Sequence, residues 1–192
     1  VMTADAASAS GVKWVTPAAG GAGAGAISTS HASRLALTYS GSSYASKGTT
    51  YDVPNNIKVL TVRMPVNTAA ANTYKMVIAE VSGATDVIDA ITATSDNVTV
   101  ATTNVTPDVV FTFGAGVSLV AGKAYAFILV RTDSTSTAAN PASFPAAVGT
   151  SDGFLEYRAS VRYASNDPLV SDVTRFATNS TIHMDITYEV VI

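Results

Sequence analysis

An all-β fold, an antiparallel β-sandwich of jelly-roll type behind an extended N-terminal segment, follows from three features of this sequence. Apolar and polar residues alternate in run after run. Turn-forming groups separate the runs, and no stretch carries the periodicity of a long amphipathic helix.

The first 30 residues differ from the rest. "TADAASAS" and "TPAAGGAGAGAISTS" are small-residue segments whose glycines offer no side chains for a core, so residues 1–30 read as an extended linker or arm. The short island "GVKWVT" holds Trp14, as a strand docked on the main domain or a contact with another subunit. The chain opens at Val1, which reads as a fragment or a processed protein, and the arm as a connector to something upstream. Residues 31–192 form the sandwich domain, expected to fold without the arm.

Within that domain each run has a face. "SRLALTYS" sets Leu35, Leu37 and Tyr39 together, and "NNIKVLTVRMPV" sets Leu60, Val62 and Met64 together. "TYKMVIAEV" groups Tyr74, Met76 and Ile78; "VVFTFG" groups Val109, Phe111 and Phe113. In "GVSLVAGKAYAFILV", Tyr125, Phe127 and Leu129 oppose Ala124, Ala126 and Ile128. "FLEYRASVRY" sets Leu155, Tyr157, Ala159, Val161 and Tyr163 against Glu156, Arg158 and Arg162. "TIHMDITYEVVI" sets Ile182, Met184, Ile186, Tyr188 and Val190 against His183, Asp185, Thr187 and Glu189. One polar face per strand is the mark of a half-buried antiparallel sheet. Val53-Pro54-Asn55-Asn56, Ser82-Gly83-Ala84, Ala121-Gly122-Lys123 and Ser151-Asp152-Gly153 supply turns. "TDVIDAITA" is long enough for a short helix, but its β-branched residues argue against one. The irregular Ser134–Gly153 segment has the length of a functional or mobile loop.

Composition narrows the function classes. Hydrophobic residues make up 47% of the 192, enough for a sizeable core, and charged residues only 13%. The surface must therefore be solvated by Ser, Thr and Asn more than by ions. With a net charge of −3 and no Lys/Arg cluster, nucleic-acid binding through phosphate neutralisation is not expected. No apolar run is long enough to insert in a membrane. Cysteine is absent, which removes disulfides and thiol chemistry.

Little in the sequence is concentrated enough for catalysis or cofactor binding. "GGAGAGA" lacks the Lys-Ser/Thr and the preceding strand of a phosphate-binding loop. His31 and His183 read as satisfied or solvated histidines, and two histidines without cysteine do not suggest a zinc site. Asp152 and Glu156, or Asp167 and Asp172, are carboxylate pairs without a catalytic spacing, and Glu156 and Arg158 read as solvated or cross-strand ion-pair residues. Thr94–Asn97 and Ser165–Asp167 contain oxygen ligands for calcium, but the same residues make Asx turns. No metal and no cofactor is expected. Tyr44, Tyr51, Phe144 and Trp14 stand outside the clearest buried faces. Sugar rings stack on aromatic faces, and neighbouring amides, carboxylates and hydroxyls meet their OH groups. The candidate ligand-binding set is Tyr44, Tyr51, Asn140, Phe144, Asp152 and Asn166.

"FTFGAGVSLVAGKAYAFILVRTD" resembles a recurring element of jelly-roll accessory modules, through Val117, Leu119, Ala121, Gly122, Tyr125 and Phe127. "IKVLTVRMPVNTAAANTYKMVIAEVSG" resembles the strand pair before it, so the resemblance covers about residues 50–135. Such modules occur in carbohydrate-binding domains and in the fibre and spike proteins of phages and gene-transfer agents. The resemblance implies a non-enzymatic adhesion domain of a virion, extracellular, binding a host cell-surface glycan. It further implies a homo-oligomer, a trimer, joined to other virion proteins through the N-terminal segment. The alternatives are a purely structural virion protein, as head decoration or connector, and a glycan depolymerase or esterase domain.

Overall fold

The computed structural model describes residues 46–66, 71–82, 84–101, 108–132, 154–161 and 184–191 with their side chains, and the backbone alone of 2–4, 12–14, 23–26, 38–39, 142–145, 162–163, 173–176 and 180–182. Every regular element among these is a strand. In chain order they are β1 (Met2–Ala4), β2 (Val12–Trp14), β3 (Gly23–Ala26), β4 (Thr38–Tyr39), β5 (Ser46–Val53), β6 (Ile57–Pro65), β7 (Asn72–Ser82) and β8 (Val87–Thr94). Then follow β9 (Val98–Val100), β10 (Asp108–Leu119), β11 (Lys123–Arg131), β12 (Ala142–Pro145), β13 (Glu156–Tyr163), β14 (Val173–Phe176), β15 (Ser180–Ile182) and β16 (Asp185–Val190).

Two antiparallel sheets make the body. The larger runs β14-β13-β5-β11-β7-β8, with β9 also on β7, and the smaller runs β10-β6-β16-β3. Two further small sheets are β1-β2 and β15-β12-β4. A single apolar cluster takes side chains from both large sheets. Tyr51, Tyr74, Met76, Ile78, Tyr125, Phe127 and Leu129 come from one, and Ile57, Val59, Val62, Met64, Phe111, Ile186 and Tyr188 from the other. This is the interior of an antiparallel β-sandwich.

The alternation read from the sequence places most of these residues correctly. Tyr74, Met76 and Ile78 line the interior, as do Val109, Phe111 and Phe113, and Tyr125, Phe127 and Leu129. The other faces of β7 and β11 are buried too. Val77, Ala79, Val81, Ala124, Ala126, Ile128, Val130 and Val161 form a second apolar cluster, against which Ile88 and Ile91 of β8 pack. The middle of the larger sheet is therefore apolar on both sides, a departure from the one-polar-face pattern expected of each strand.

Two bulges overturn strand-face assignments. On β6 the interior residues are Ile57, Val59, Val62 and Met64, while Leu60 is only half-buried. The pairing on both sides of β6 skips Leu60: Thr61 lies opposite Thr187 and Thr112, and Val59 opposite Tyr188 and Val117. One extra residue reverses which parity faces inward. Opposite it, β10 carries the longer excursion Phe113–Gly116. Gly116 has φ of +87°, in the left-handed region that favours glycine. On β13 the skipped residue is Arg158, with Tyr157 opposite Tyr51 and Ala159 opposite Thr50. Leu155 and Tyr157 consequently face the sandwich interior, whereas Val161 joins the outer cluster. The uniform face from Leu155 to Tyr163 does not exist.

β5 is a central strand that alternation does not reveal. "SKGTTYDV" lies between β11 and β13, and Ser46, Lys47, Thr49, Thr50 and Tyr51 are all buried. "TDVIDAITA" is not a helix but β8, which hydrogen-bonds to β7. The arm is also more than a linker, because Gly23–Ala26 pairs with β16 as the outermost strand of the smaller sheet.

Gly48 gives a sharp test of the packing. A Cβ at this position would sit 2.3 Å from the carbonyl oxygen of Phe127, a backbone atom that cannot swing aside. Gly48→Ala should lower the stability by about 1–3 kcal/mol or more through overpacking, read as a fall in the urea midpoint at unchanged slope. An unchanged midpoint would show that β5 and β11 do not approach as described.

Candidate functional site

The structure divides the expected ligand-binding residues. Tyr51 is 4% exposed, with its ring edge-on to Phe127 at 5.6 Å and to Tyr157 at 6.5 Å between centroids. It is a core residue, and its face is not offered to a sugar. The reading of Tyr51 as a stacking platform is therefore corrected: a strand in the sheet centre buries its aromatic residue whatever the polarity of its neighbours. Tyr44, Asn140, Asp152 and Asn166 lie outside the described residues, as do His31, His183, Asp167 and Asp172, and Phe144 is described only as backbone within β12.

The described strands do fix where the chain departs toward these positions. Ser46 of β5 lies opposite both Val130 of β11 and Tyr163 of β13. Tyr44 precedes Ser46 by two positions, Asn166 follows Tyr163 by three, and Asn140 is reached from the same end of β11. Asp152, in contrast, precedes Glu156 at the opposite end of β13. The β-strand rise of about 3.3 Å per residue makes the intervening strand roughly 20 Å or more in length. The chain thus leaves the described strands toward Tyr44, Asn140 and Asn166 at one end and toward Asp152 at the other.

The end of the sandwich at which β13 begins is described in detail. The β5–β6 turn, the β10–β11 turn and the end of β16 meet on Asn56. Its side-chain oxygen accepts from Ala121 N at 2.9 Å, its carbonyl accepts from Val191 N at 3.1 Å, and Gly122 N donates to Val53 O at 2.8 Å. The turns predicted at Val53–Asn56 and Ala121–Lys123 are real, and they are tied to each other. Around this joint Pro54 and Asn55 are exposed, with Val120 at 49% and Val191 at 46%. The exposed residues of the joint itself are amide and small apolar groups.

Beside it, on the outer face of the larger sheet, lies a polar clamp. Arg158, out of register on its bulge, donates to Asp52 Oδ1 at 2.9 Å and forms an ion pair between Nε and Asp86 Oδ1 at 2.8 Å, off the angle of a hydrogen bond. Thr50 Oγ1 lies 3.3 Å from Asp86 Oδ2 and 3.2 Å from the carbonyl of Ala159. Asp86 is 0% exposed and has φ of +54°, in the left-handed region that Asp tolerates better than most residues. It sits at the β7–β8 turn and reaches past β11 to β5 and β13. The hydrogen bond to Asp52 leads the causes that raise the Arg158 pKa above its ordinary value, with the charge of Asp86 adding to it and burial opposing. Glu156, expected to be solvated or ion-paired, is exposed, and the cross-strand ion pairs here belong to Arg158 with Asp52 and Asp86. Nothing in the local sequence announces Asp86, because its partners are brought to it only by the fold.

Two further cations, Arg63 and Lys123, pair with carboxylates on neighbouring strands. Arg63 donates from Nε and Nη2 to Asp185 Oδ2, at 3.1 and 2.7 Å, with Asp108 at 3.9 Å. Lys123 Nζ donates to both carboxylate oxygens of Glu80 at 2.7 and 2.8 Å, which raises its pKa. That contribution is complete at neutral pH and fades as the pH rises through the folded-state value. At the Thr94–Asn97 segment, Ser95 is buried, its Oγ accepting from Met76 N and donating to Asp96 O. Its hydroxyl serves the backbone, as in the Asx-turn reading. Among the described residues no group of three or more His, Cys, Asp or Glu side chains is placed to hold a metal ion. Compared with known proteins, the chain matches no family model, no curated protein and no solved structure.

The clamp yields a stability prediction. Arg158→Leu leaves Asp86 as a buried charge without its cation and should cost about 3–5 kcal/mol, less any part that solvent recovers at Asp52. Adding Asp86→Gly removes the stranded charge and relaxes the positive φ. The double variant should therefore be more stable than Arg158→Leu alone in urea unfolding. If the two losses simply add, the clamp is not a coupled unit.

Proposed function

We propose that this chain is a non-enzymatic adhesion domain of a virion fibre or spike, a jelly-roll module that binds a polysaccharide on the host cell surface. The observation that carries this reading is the chemistry of the solvent-facing surface. Arg158, Arg63 and Lys123 are each paired with carboxylates on neighbouring strands, while the joint around Asn56 presents exposed amides, small apolar side chains and backbone. Such a surface is suited to a hydroxyl-rich polymer, which takes hydrogen bonds from amides and hydroxyls and lays its C–H faces on apolar groups.

The ligand-contact candidates that remain are Tyr44, Asn140, Phe144, Asp152 and Asn166. Asp152 precedes β13 at the end that also carries Asn55 and Val120. A single sugar contact on such a surface is weak. Several copies on one particle, facing a repeating polymer, multiply weak contacts into firm attachment, which suits a homo-oligomeric arrangement. Catalysis needs a positioned acid and base, and the candidate Glu156 is an exposed residue at the start of β13.

Retention of a multivalent form of the domain on encapsulated cells tests the proposal. Retention should fall to that of a control protein when capsule is removed, and no new reducing ends should appear in capsular material. Equal retention on stripped cells would reject glycan binding. Reducing ends that vanish in Glu156→Ala or Asp152→Ala would reject the non-enzymatic reading.

A further inference from the structure

We infer that the outer edge of β16 is a strand-acceptor site, and that its occupant, the Gly-Ala strand β3, is exchanged between copies of this chain. The observation is the register. Gly23, Ala24, Gly25 and Ala26 lie opposite Val190, Glu189, Tyr188 and Thr187 in an antiparallel pairing that ends the smaller sheet. The seat is therefore specific for an extended backbone, while the occupant brings almost nothing but backbone to it.

Three properties of this arrangement favour exchange. First, the occupant is held mainly by main-chain hydrogen bonds. Gly23 and Gly25 have no side chain to bury, and ordering glycine costs more conformational entropy than ordering any other residue. Second, the register is degenerate. The sequence reads Gly21-Ala22-Gly23-Ala24-Gly25-Ala26, so a slip of two residues presents the same alternation to β16. Glycine-rich strands of this kind specify their pairing weakly and are prone to alternate partners and domain swapping. Third, the acceptor is well built without the occupant. β16 is fully engaged on its other side by β6, with Ile186 and Tyr188 at 0% and 1% exposure in the core and Asp185 held by Arg63. When β3 leaves, β16 remains as an intact strand with one open edge, and an open edge pairs with an extended segment of suitable sequence. Every other copy carries that segment. This inference does not depend on what ligand the loops bind.

The chain has no cysteine, so engineered thiols report cleanly. One copy carries Ala24→Cys and a differently tagged copy Glu189→Cys, positions directly opposite in the register. The copies are mixed, incubated and oxidised, with melting temperatures checked first. The pair Ala26→Cys and Thr187→Cys, also directly opposite, repeats the test if either first variant is poorly folded. A covalent heterodimer is expected, at least tenfold more abundant than that formed by Ala24→Cys with Val110→Cys, whose exposed thiol lies on β10 at the far edge of the same sheet. Equal yields would mean random collision and overturn the inference. Disulfide formation only within a chain carrying both Ala24→Cys and Glu189→Cys would show that β3 stays with its own sheet, and also overturn it. No disulfide in any arrangement would mean that β3 does not occupy this edge.

Discussion

Burial of both faces at the middle of the larger sheet is the constraint on which the remainder of this molecule rests. β11 sits between β5 and β7, with Tyr125, Phe127 and Leu129 on one side and Ala124, Ala126, Ile128 and Val130 on the other, all but fully buried. A strand so enclosed has no water for its backbone groups, and each must find a partner in the ladder. That requirement fixes β5 and β7 as its neighbours. The close approach of β5 to β11 also explains Gly48, where a Cβ would stand 2.3 Å from the carbonyl oxygen of Phe127.

The polar features follow from the same arrangement. β5 is rich in hydroxyls and carries a buried lysine, yet it must lie beside β11. Its outward Thr50 is met by Asp86, and the charge of Asp86 is met by Arg158, so the β7–β8 turn is fastened to β13 across β11 and β5. A buried carboxylate of this kind is tolerated because its cation is already in place. The bulge that carries Arg158 is what allows it to reach Asp86 while Tyr157 still faces the interior.

Much of this was legible in the sequence, and what was not has identifiable causes. Alternation found β7, β10, β11 and β16 because each keeps one parity over its buried length. It failed on β6 and β13 because single extra residues, Leu60 and Arg158, reverse the parity in mid-strand and leave no compositional trace. It missed β5 because polar residues there are satisfied by partners distant in sequence, and so Tyr51 read as a loop aromatic when it is part of the core. Turn chemistry located the β5–β6 and β10–β11 turns correctly, since Pro54, Asn56 and Gly122 act locally. The use of Asn56 to join those turns to the end of β16 is a long-range contact and had no local sign. The candidate ligand-binding residues were chosen for residue type, and type alone does not say which strand end a loop leaves from.

Native-state hydrogen exchange tests the central constraint most directly. The account predicts that the slowest amides belong to β11 and to the stretches of β5 and β7 paired with it, and that these exchange only through global unfolding. Those of β8 and β10, which lie at sheet edges, should exchange orders of magnitude faster. If β11 opened before the edge strands, or if all strands exchanged at one rate, the doubly buried strand would not be the element on which the sandwich depends.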